Sequence, residues 1–128
     1  MKVKLTSKKS HAPEISNGVI EIKTPKKLAI LPLQDFIVDL GLAIDYPDQN
    51  YIALLIEDFS VSVKNSVTIP TTIIKPNADI KIQVMNNHST EYGKFDKGEK
   101  ICKIIFVSIW RGPIDIEYSY EESGDEKK

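Results

Sequence analysis

The stretch Gly98-Glu99-Lys100-Ile101-Cys102-Lys103-Ile104-Ile105-Phe106-Val107-Ser108-Ile109 decides how this chain is read. From Ile101 to Ile109 it is nearly continuously apolar, interrupted by Lys103 and Ser108 alone. It is bounded by turn chemistry, Asp96-Lys97-Gly98-Glu99 before it and Arg111-Gly112-Pro113 after it. A short apolar run so bounded, rich in isoleucine and valine, reads as a strand buried on both faces. Outward from it the same composition recurs with period two. Ile20 and Ile22 alternate with Glu21 and Lys23; Phe36, Val38 and Leu40 oppose Asp35 and Asp39; Ile80, Ile82 and Val84 alternate with Lys81 and Gln83. Val61 and Val63 alternate with Ser60, Ser62 and Lys64 and read the same way. Turn residues break these runs at Thr24-Pro25, Tyr46 to Asn50, Ile69-Pro70, Lys75-Pro76-Asn77 and Asn86 to Gly93. Strands at such spacing predict an all-β sandwich or barrel. No stretch reads as a long amphipathic helix, and at most a short turn is expected near Glu57-Asp58-Phe59.

At 128 residues the length prior is one domain, and 41% hydrophobic with 27% charged residues is globular composition. A net charge of −1 argues against a basic nucleic-acid clamp, so no nucleic-acid partner is expected. The single Cys102 excludes an intrachain disulfide framework and a Cys-rich zinc site. No apolar run reaches the roughly 18 residues of a membrane span, and Met1 to Thr6 lacks a signal-peptide apolar core. A soluble intracellular protein without a membrane partner is the expectation. The charges are segregated: residues 1–30 carry seven lysines against Glu14 and Glu21, whereas residues 117–128 carry five acids against Lys127 and Lys128. The expected organisation is a single β domain over 1–117 and an acidic, mobile tail over 118–128, dispensable for folding beyond Tyr120. Segregated charge fits either solvated tails or a tail that docks on a neighbouring subunit or partner.

Chemistry does not announce itself. His11 and His88 lie on separate loops without further ligands at metal spacing, so no metal site is expected. There is no serine elbow and no glycine-rich phosphate loop. Cys102 reads as a small buried hydrophobe, and Trp110 with Arg111 as a strand-end anchor for the core or a subunit contact. The adjacent acids Glu57 and Asp58, following Ile52-Ala53-Leu54-Leu55-Ile56, are the oddest feature. They are either a strand leaving for solvent or an acidic patch at a pocket mouth.

Four segments in order resemble the trimeric dUTPases, over residues ~14–117. Gly98-Glu99-Lys100-Ile101-Cys102-Lys103-Ile104-Ile105 is similar to that family's Gly-Asp-Arg-Ile-Ala-Gln-Leu-Ile. Ile80 to Asn87 resembles the strand ending in Asn before it, and Asp39 to Tyr51 resembles a Thr-Gly segment running into Pro-x-Gly-Tyr. Phe106 to Glu117 has the family's apolar–Pro–acidic rhythm. The resemblance implies a small dUTPase-like β-barrel or distorted jelly roll, a homotrimer, and sites at subunit interfaces.

The catalytic motifs depart from that pattern. The Asp of Ala-Gly-Tyr-Asp-Leu falls on Ile20, or is displaced to Glu21. Pro-Arg-Ser-Gly falls on Ile56-Glu57-Asp58-Phe59, which places two carboxylates where the family holds phosphate oxygens. The segment with the water-orienting aspartate falls on Pro70 to Ala78, the family's glutamine becomes Lys103, and the glycine-rich closing arm has no counterpart. The expectation is therefore a catalytically inactive dUTPase-like protein of viral or phage type, in the cytoplasm or nucleus of a host cell. It would work by contacts with an unidentified protein, with no catalytic residues, metal or cofactor. Glu57, Asp58, Lys75, Asn77 and Lys103 are the candidates for a vestigial pocket. Two alternatives stand beside it. One is a nucleotide-binding or dUTP-hydrolysing enzyme with a rebuilt pocket that uses Lys103, Lys75 and the Glu57/Asp58 pair with Mg²⁺. The other is a structural β-sandwich of a virion.

Overall fold

The structure, a computed structural model, describes residues 1–120. The described residues form β1 (Lys2–Leu5), β2 (Glu14–Ser16), β3 (Val19–Lys23), β4 (Leu28–Ile30), β5 (Asp35–Asp39), β6 (Leu42–Asp45), β7 (Tyr51–Glu57), α1 (Phe59–Lys64), β8 (Thr72–Ile74), β9 (Lys81–Met85), β10 (Gly93–Phe95) and β11 (Lys100–Ser108). The described residues are all-β apart from one short helix. A five-stranded antiparallel sheet runs β2-β3-β11-β7-β8, and β1–β6, β4–β10 and β5–β9 form three two-stranded ribbons.

The apolar run that decides the sequence reading is the centre of the sheet. On β11, Cys102 and Ile104 point inward beside Ile20 and Ile22 of β3 and Ala53 and Leu55 of β7. The ribbons send Leu28, Ile30, Val38, Ile44, Ile82, Val84 and Phe95 into the same core. Each such apolar side chain, fully buried, contributes roughly 1.5–3 kcal/mol by leaving water. The β2–β3 hairpin closes on Asn17 and Gly18 with φ of 51° and 76°. Positive φ at both loop positions matches the strand twist, and Asn-Gly tolerates it at least cost.

Two expectations are corrected. Val61 and Val63 do not form a strand but lie in α1. Past Glu57, local bonds win over the β-branched preference: Ser62 N donates to Asp58 O at 2.9 Å and Asn65 N to Val61 O at 3.0 Å. The helix turns Ser62 inward and leaves Val63 exposed, the reverse of the expected alternation. Within one chain, β11 is also not buried on both faces. A register shift between Lys100 and Cys102 brings both Ile101 and Cys102 inside, while Lys103, Ile105 and Val107 on the other face are only half-buried.

That outer face is apolar. Ile56, Leu54 and Ile52 of β7 oppose Lys103, Ile105 and Val107 of β11, and Ile73 of β8 lies across from Leu54, 60% exposed. Beyond Ser108 the described chain enters no strand, and Trp110 is an exposed side chain rather than a core anchor. The expected mobile tail beyond Tyr120 lies outside the described residues.

Candidate functional site

Three segments converge at one corner of the large sheet. Lys103 sits between Glu21 on β3 and Ile56 on β7, and Glu57 opposes Cys102 one step further along. The chain then turns into α1, with Asp58 at its N-cap position (φ −89°, ψ 111°). The displaced register at the start of β11 swings Lys100 to the same side. Its Nζ lies 3.3 Å from Glu21 Oε1 and 3.7 Å from Asp58 Oδ2.

The electrostatics of the corner are settled internally. Asp58 does not cap the helix with its side chain; its Oδ1 accepts a hydrogen bond from Ser60 Oγ at 2.8 Å. That bond, with the Lys100 and Lys103 ammonium groups, holds the Asp58 carboxyl below the usual aspartate range despite its partial burial. The hydrogen bond and charge of Glu21, with the charge of Asp58, push the Lys100 ammonium above its ordinary value. Glu57 is committed elsewhere, its Oε2 accepting from Ile69 N at 3.1 Å. Three carboxylates and two ammonium groups thus share the corner.

The structure separates the other two candidates from it. β8 is antiparallel to β7, with Thr72 opposite Leu55 and Ile74 opposite Ala53. Lys75 therefore follows the end of β7 remote from Glu57, five strand positions or about 17 Å away. Asn77 sits in the next turn with φ 61°, and its Oδ1 accepts from Lys4 Nζ at 2.9 Å. Lys75 lines a shallow cleft with Thr72, Ile73, Ala78 and Lys81, apart from Glu57, Asp58 and Lys103. Glu57, Asp58 and Lys103 lie together within the chain, and Lys75 and Asn77 lie apart from them.

Lys100 and Glu21 are the members of the corner that the sequence candidates omit, Glu21 entering the sequence reading only as a displaced motif aspartate. Lys100 precedes an apolar run and reads as the last residue of a turn; only the register shift brings it to Glu21. The carboxylates do not fit Mg²⁺. Asp58 and Glu21 are bridged by an ammonium, Glu57 holds a backbone amide, and no three His, Cys, Asp or Glu converge among the described residues. His11 packs against Gly98 while His88 lies 4.0 Å from Glu91 in a separate loop. Cys102 is fully buried, and burial pushes its thiol far above the ordinary range.

The three-dimensional comparison identifies the architecture. The dUTPase of phage phi11 of Staphylococcus aureus, solved as a point mutant described as revealing the coordination of a structural Mg(II) ion, matches with TM-score 0.78 at 18% identity, over 94% of this chain and 98% of that one. The chain has the dUTPase fold. The dUTPase of Staphylococcus bacteriophage 80alpha with dUpNHpp matches with TM-score 0.77 at 21% identity, over 99% and 94% of the two chains. A point mutant of that enzyme with the same ligand gives 0.76 at 20%, over 98% and 92%. No sequence-family model matches the chain, and no curated protein matches it by sequence. The segments on which the sequence resemblance lays the family's Ala-Gly-Tyr-Asp-Leu, Pro-Arg-Ser-Gly and Gly-Asp-Arg-Ile-Ala-Gln-Leu-Ile motifs meet at the Glu21–Asp58–Lys103 corner. The Pro70–Ala78 segment starts next to Ile69, whose amide is bonded to Glu57, and runs away along β8.

Proposed function

We propose that this protein is a non-hydrolysing member of the dUTPase fold, of viral or phage type, that works inside a host cell through protein–protein contacts. The observation that carries this reading is the Glu21–Lys100–Asp58 ion-pair network, which fills with paired charge the corner matching the family's phosphate-handling motifs. A triphosphate entering it meets Glu57 and Asp58. At contact distance each like-charge pair costs of order 1–4 kcal/mol, depending on solvent access. Neither lysine is free of a nearby carboxylate, and no described aspartate occupies the Pro70–Ala78 segment in the role of water-orienting base apart from Asp79 just beyond it, which is exposed. Regulation by a protein of this fold has support in the 80alpha dUTPase, described as controlling transfer of virulence genes by a proto-oncogenic G protein-like mechanism.

The half-exposed apolar outer face of Leu54, Ile56, Ile105 and Ile73 supports a homo-oligomer, which the family resemblance makes a trimer. Light scattering across micromolar concentrations tests it; a constant 14.4 kDa overturns it.

A second reading is a nucleotide-binding protein with a rebuilt pocket, favoured by the presence of dUpNHpp in the 80alpha structures. Titration with dUpNHpp by calorimetry separates the two. Absence of binding at millimolar ligand fits the contact protein; binding with heat and saturation fits the rebuilt pocket.

A further inference from the structure

A second cleft opens between the C-terminal end of α1 and the β9–β10 loop, and it shares no residue with the charged corner. Its volume is about 290 Å³, at the small end of ligand clefts. Ser62 and Val67, 3% and 7% exposed, form its floor, and Val63 is one wall. Ser66, Thr68, Asn87, His88 and Glu91 make the rim.

Both sides of this cleft are held by internal bonds. On the helix side, Val67 N donates to Ser62 O at 3.0 Å and Ser66 N to Val63 O at 3.3 Å. These bonds close the helix through Ser66 at φ 58°, a left-handed position that glycine usually takes. A serine there strains the backbone and sets its hydroxyl against the facing loop, where Oγ donates to Glu91 Oε2 at 3.1 Å. On the loop side, the buried Asn86 side chain bonds both His88 N and Glu91 O, and Leu33 N donates to His88 O at 3.1 Å. Asn87 Nδ2 donates to Thr68 Oγ1 at 3.2 Å across the cleft end. The cleft is therefore preformed, as ligand sites mostly are.

The floor carries an unmet demand. Ser62 Oγ is buried and has no hydrogen-bond partner. A hydroxyl kept from water without a partner is costly, and such groups are few in a folded chain. The helix offers the Asp58 carbonyl four residues back, but only the Ser62 amide takes it, at 2.9 Å.

The lining selects the chemistry of a ligand. Among the described residues no lysine or arginine lines the cleft, so an anion would meet the Glu91 carboxylate with no permanent cation to offset it. A cation gains little from that carboxylate, whose side chain is 65% exposed. The remaining polar groups are the hydroxyls of Ser62, Ser66 and Thr68, the Asn87 amide and the His88 imidazole, which both donate and accept. They suit a neutral ligand whose own groups do both. The methyl groups of Val63 and Val67 suit the C–H surface between such groups.

We propose that this cleft binds a single sugar ring with adjacent hydroxyls, and that the Ser62 hydroxyl is its buried partner. The inference rests neither on the loss of hydrolysis nor on self-association.

The test titrates the full ¹⁵N-labelled chain with methyl α-glucoside, methyl α-mannoside, methyl β-galactoside, adenosine and adenine. Each is taken to ~20 mM, above the millimolar dissociation constant expected of so small a ligand. At least one sugar is expected to shift the amides of Ser62, Ser66 to Thr68 and Asn87 to Glu91 together and to saturation. Shifts with a methyl glycoside support the proposal and identify the ring as a glycan sugar. Shifts with adenosine but not adenine support it and identify the ring as a nucleoside ribose. Ser62→Ala is expected to weaken the binding about 5-fold, the worth of one hydrogen bond. The same variant should leave the urea midpoint of the unliganded chain unchanged or higher, because the hydroxyl bonds nothing there. A lowered midpoint with unaltered affinity makes Ser62 structural and overturns the proposal. So does ethylammonium that shifts these amides more than any sugar, and so does the absence of saturable shifts with every sugar.

Discussion

Lys100 stands between Glu21 and Asp58, 3.3 Å from one carboxylate and 3.7 Å from the other, and ties the second strand of the β2–β3 hairpin to the start of α1 across the first residue of β11. The two shifts it takes part in have opposite signs. Asp58 is held low, so its contribution to stability is present above the unfolded aspartate value near 4 and is lost as pH falls through the lower folded value. Lys100 is held high, so its contribution is present below about 10.4 and is lost as pH rises through the higher folded value. Lys100→Met is expected to lower stability by roughly 0.2–1 kcal/mol, as partly exposed pairs do. The difference from the natural chain is level between about pH 5 and 10 and shrinks at both extremes. Thermal melts from pH 2 to 11.5 measure it; a difference that grows in acid contradicts the network.

Asn86 is fully buried at the end of β9 and all its side-chain bonds are internal. Its Nδ2 donates to Ile30 O at 3.0 Å and Glu91 O at 2.7 Å, and its Oδ1 accepts from His88 N at 2.9 Å. Asn86→Ala is expected to cost about 2–4 kcal/mol, since three backbone groups lose their partner, one of them fully buried and two partly. Urea denaturation measures this, and a loss under 1 kcal/mol contradicts the bonding described.

The two faces of the large sheet differ in what they hold together. Leu55→Ala, on the inner face, is expected to cost about 2–5 kcal/mol of folding free energy. Ile73→Ala, on the outer face, is expected to leave chain folding within about 0.5 kcal/mol and to weaken self-association instead. Denaturation at low concentration, paired with sedimentation, separates the two effects.

How far the sequence reveals these features depends on which of them period and turns encode. Ile20/Ile22, Val38 and Ile80/Ile82/Val84 have the alternation of half-buried strands and are buried as it requires. The short strands β1, β4 and β10 carry too few residues for a period to show; their pairing is decided by tertiary contact. Asn17-Gly18 does carry a hairpin signal, and it marks β2, an edge of the large sheet. The helix at Val61–Val63 hides behind β-branched residues because its bonds are local and its buried residue is a serine. In the site, the grouping of Lys103 with Asp58 follows from strand alternation. The grouping of Lys100 with Glu21 follows from a one-residue register shift, which no composition signals. Lys75 and Asn77 stand apart because β8 runs antiparallel to β7, a direction that linear spacing does not carry.

Replacing the acids of the corner tests what they exclude. Glu57→Arg/Asp58→Ser brings this position toward the family's Pro-Arg-Ser-Gly. It should strengthen dUpNHpp binding relative to the natural chain by about 10-fold or more, the worth of one removed like-charge contact. The loss of the acceptor for Ile69 N should lower stability by about 1 kcal/mol. Calorimetric titration reads the first effect, and unaltered affinity in a folded variant contradicts the role given to the acids.

The central claim is that the dUTPase fold here carries no dUTP hydrolysis. Pyrophosphate release from dUTP, followed for hours with Mg²⁺ and high protein concentration, tests it directly. A single lost electrostatic donor typically costs 10²–10³ in rate, and the proposal has several lost at this corner at once. The result expected is release indistinguishable from the protein-free control. Turnover above about 0.1 per second, still below the ordinary enzyme range, contradicts it and makes the Glu21–Lys100–Asp58 corner part of a working site.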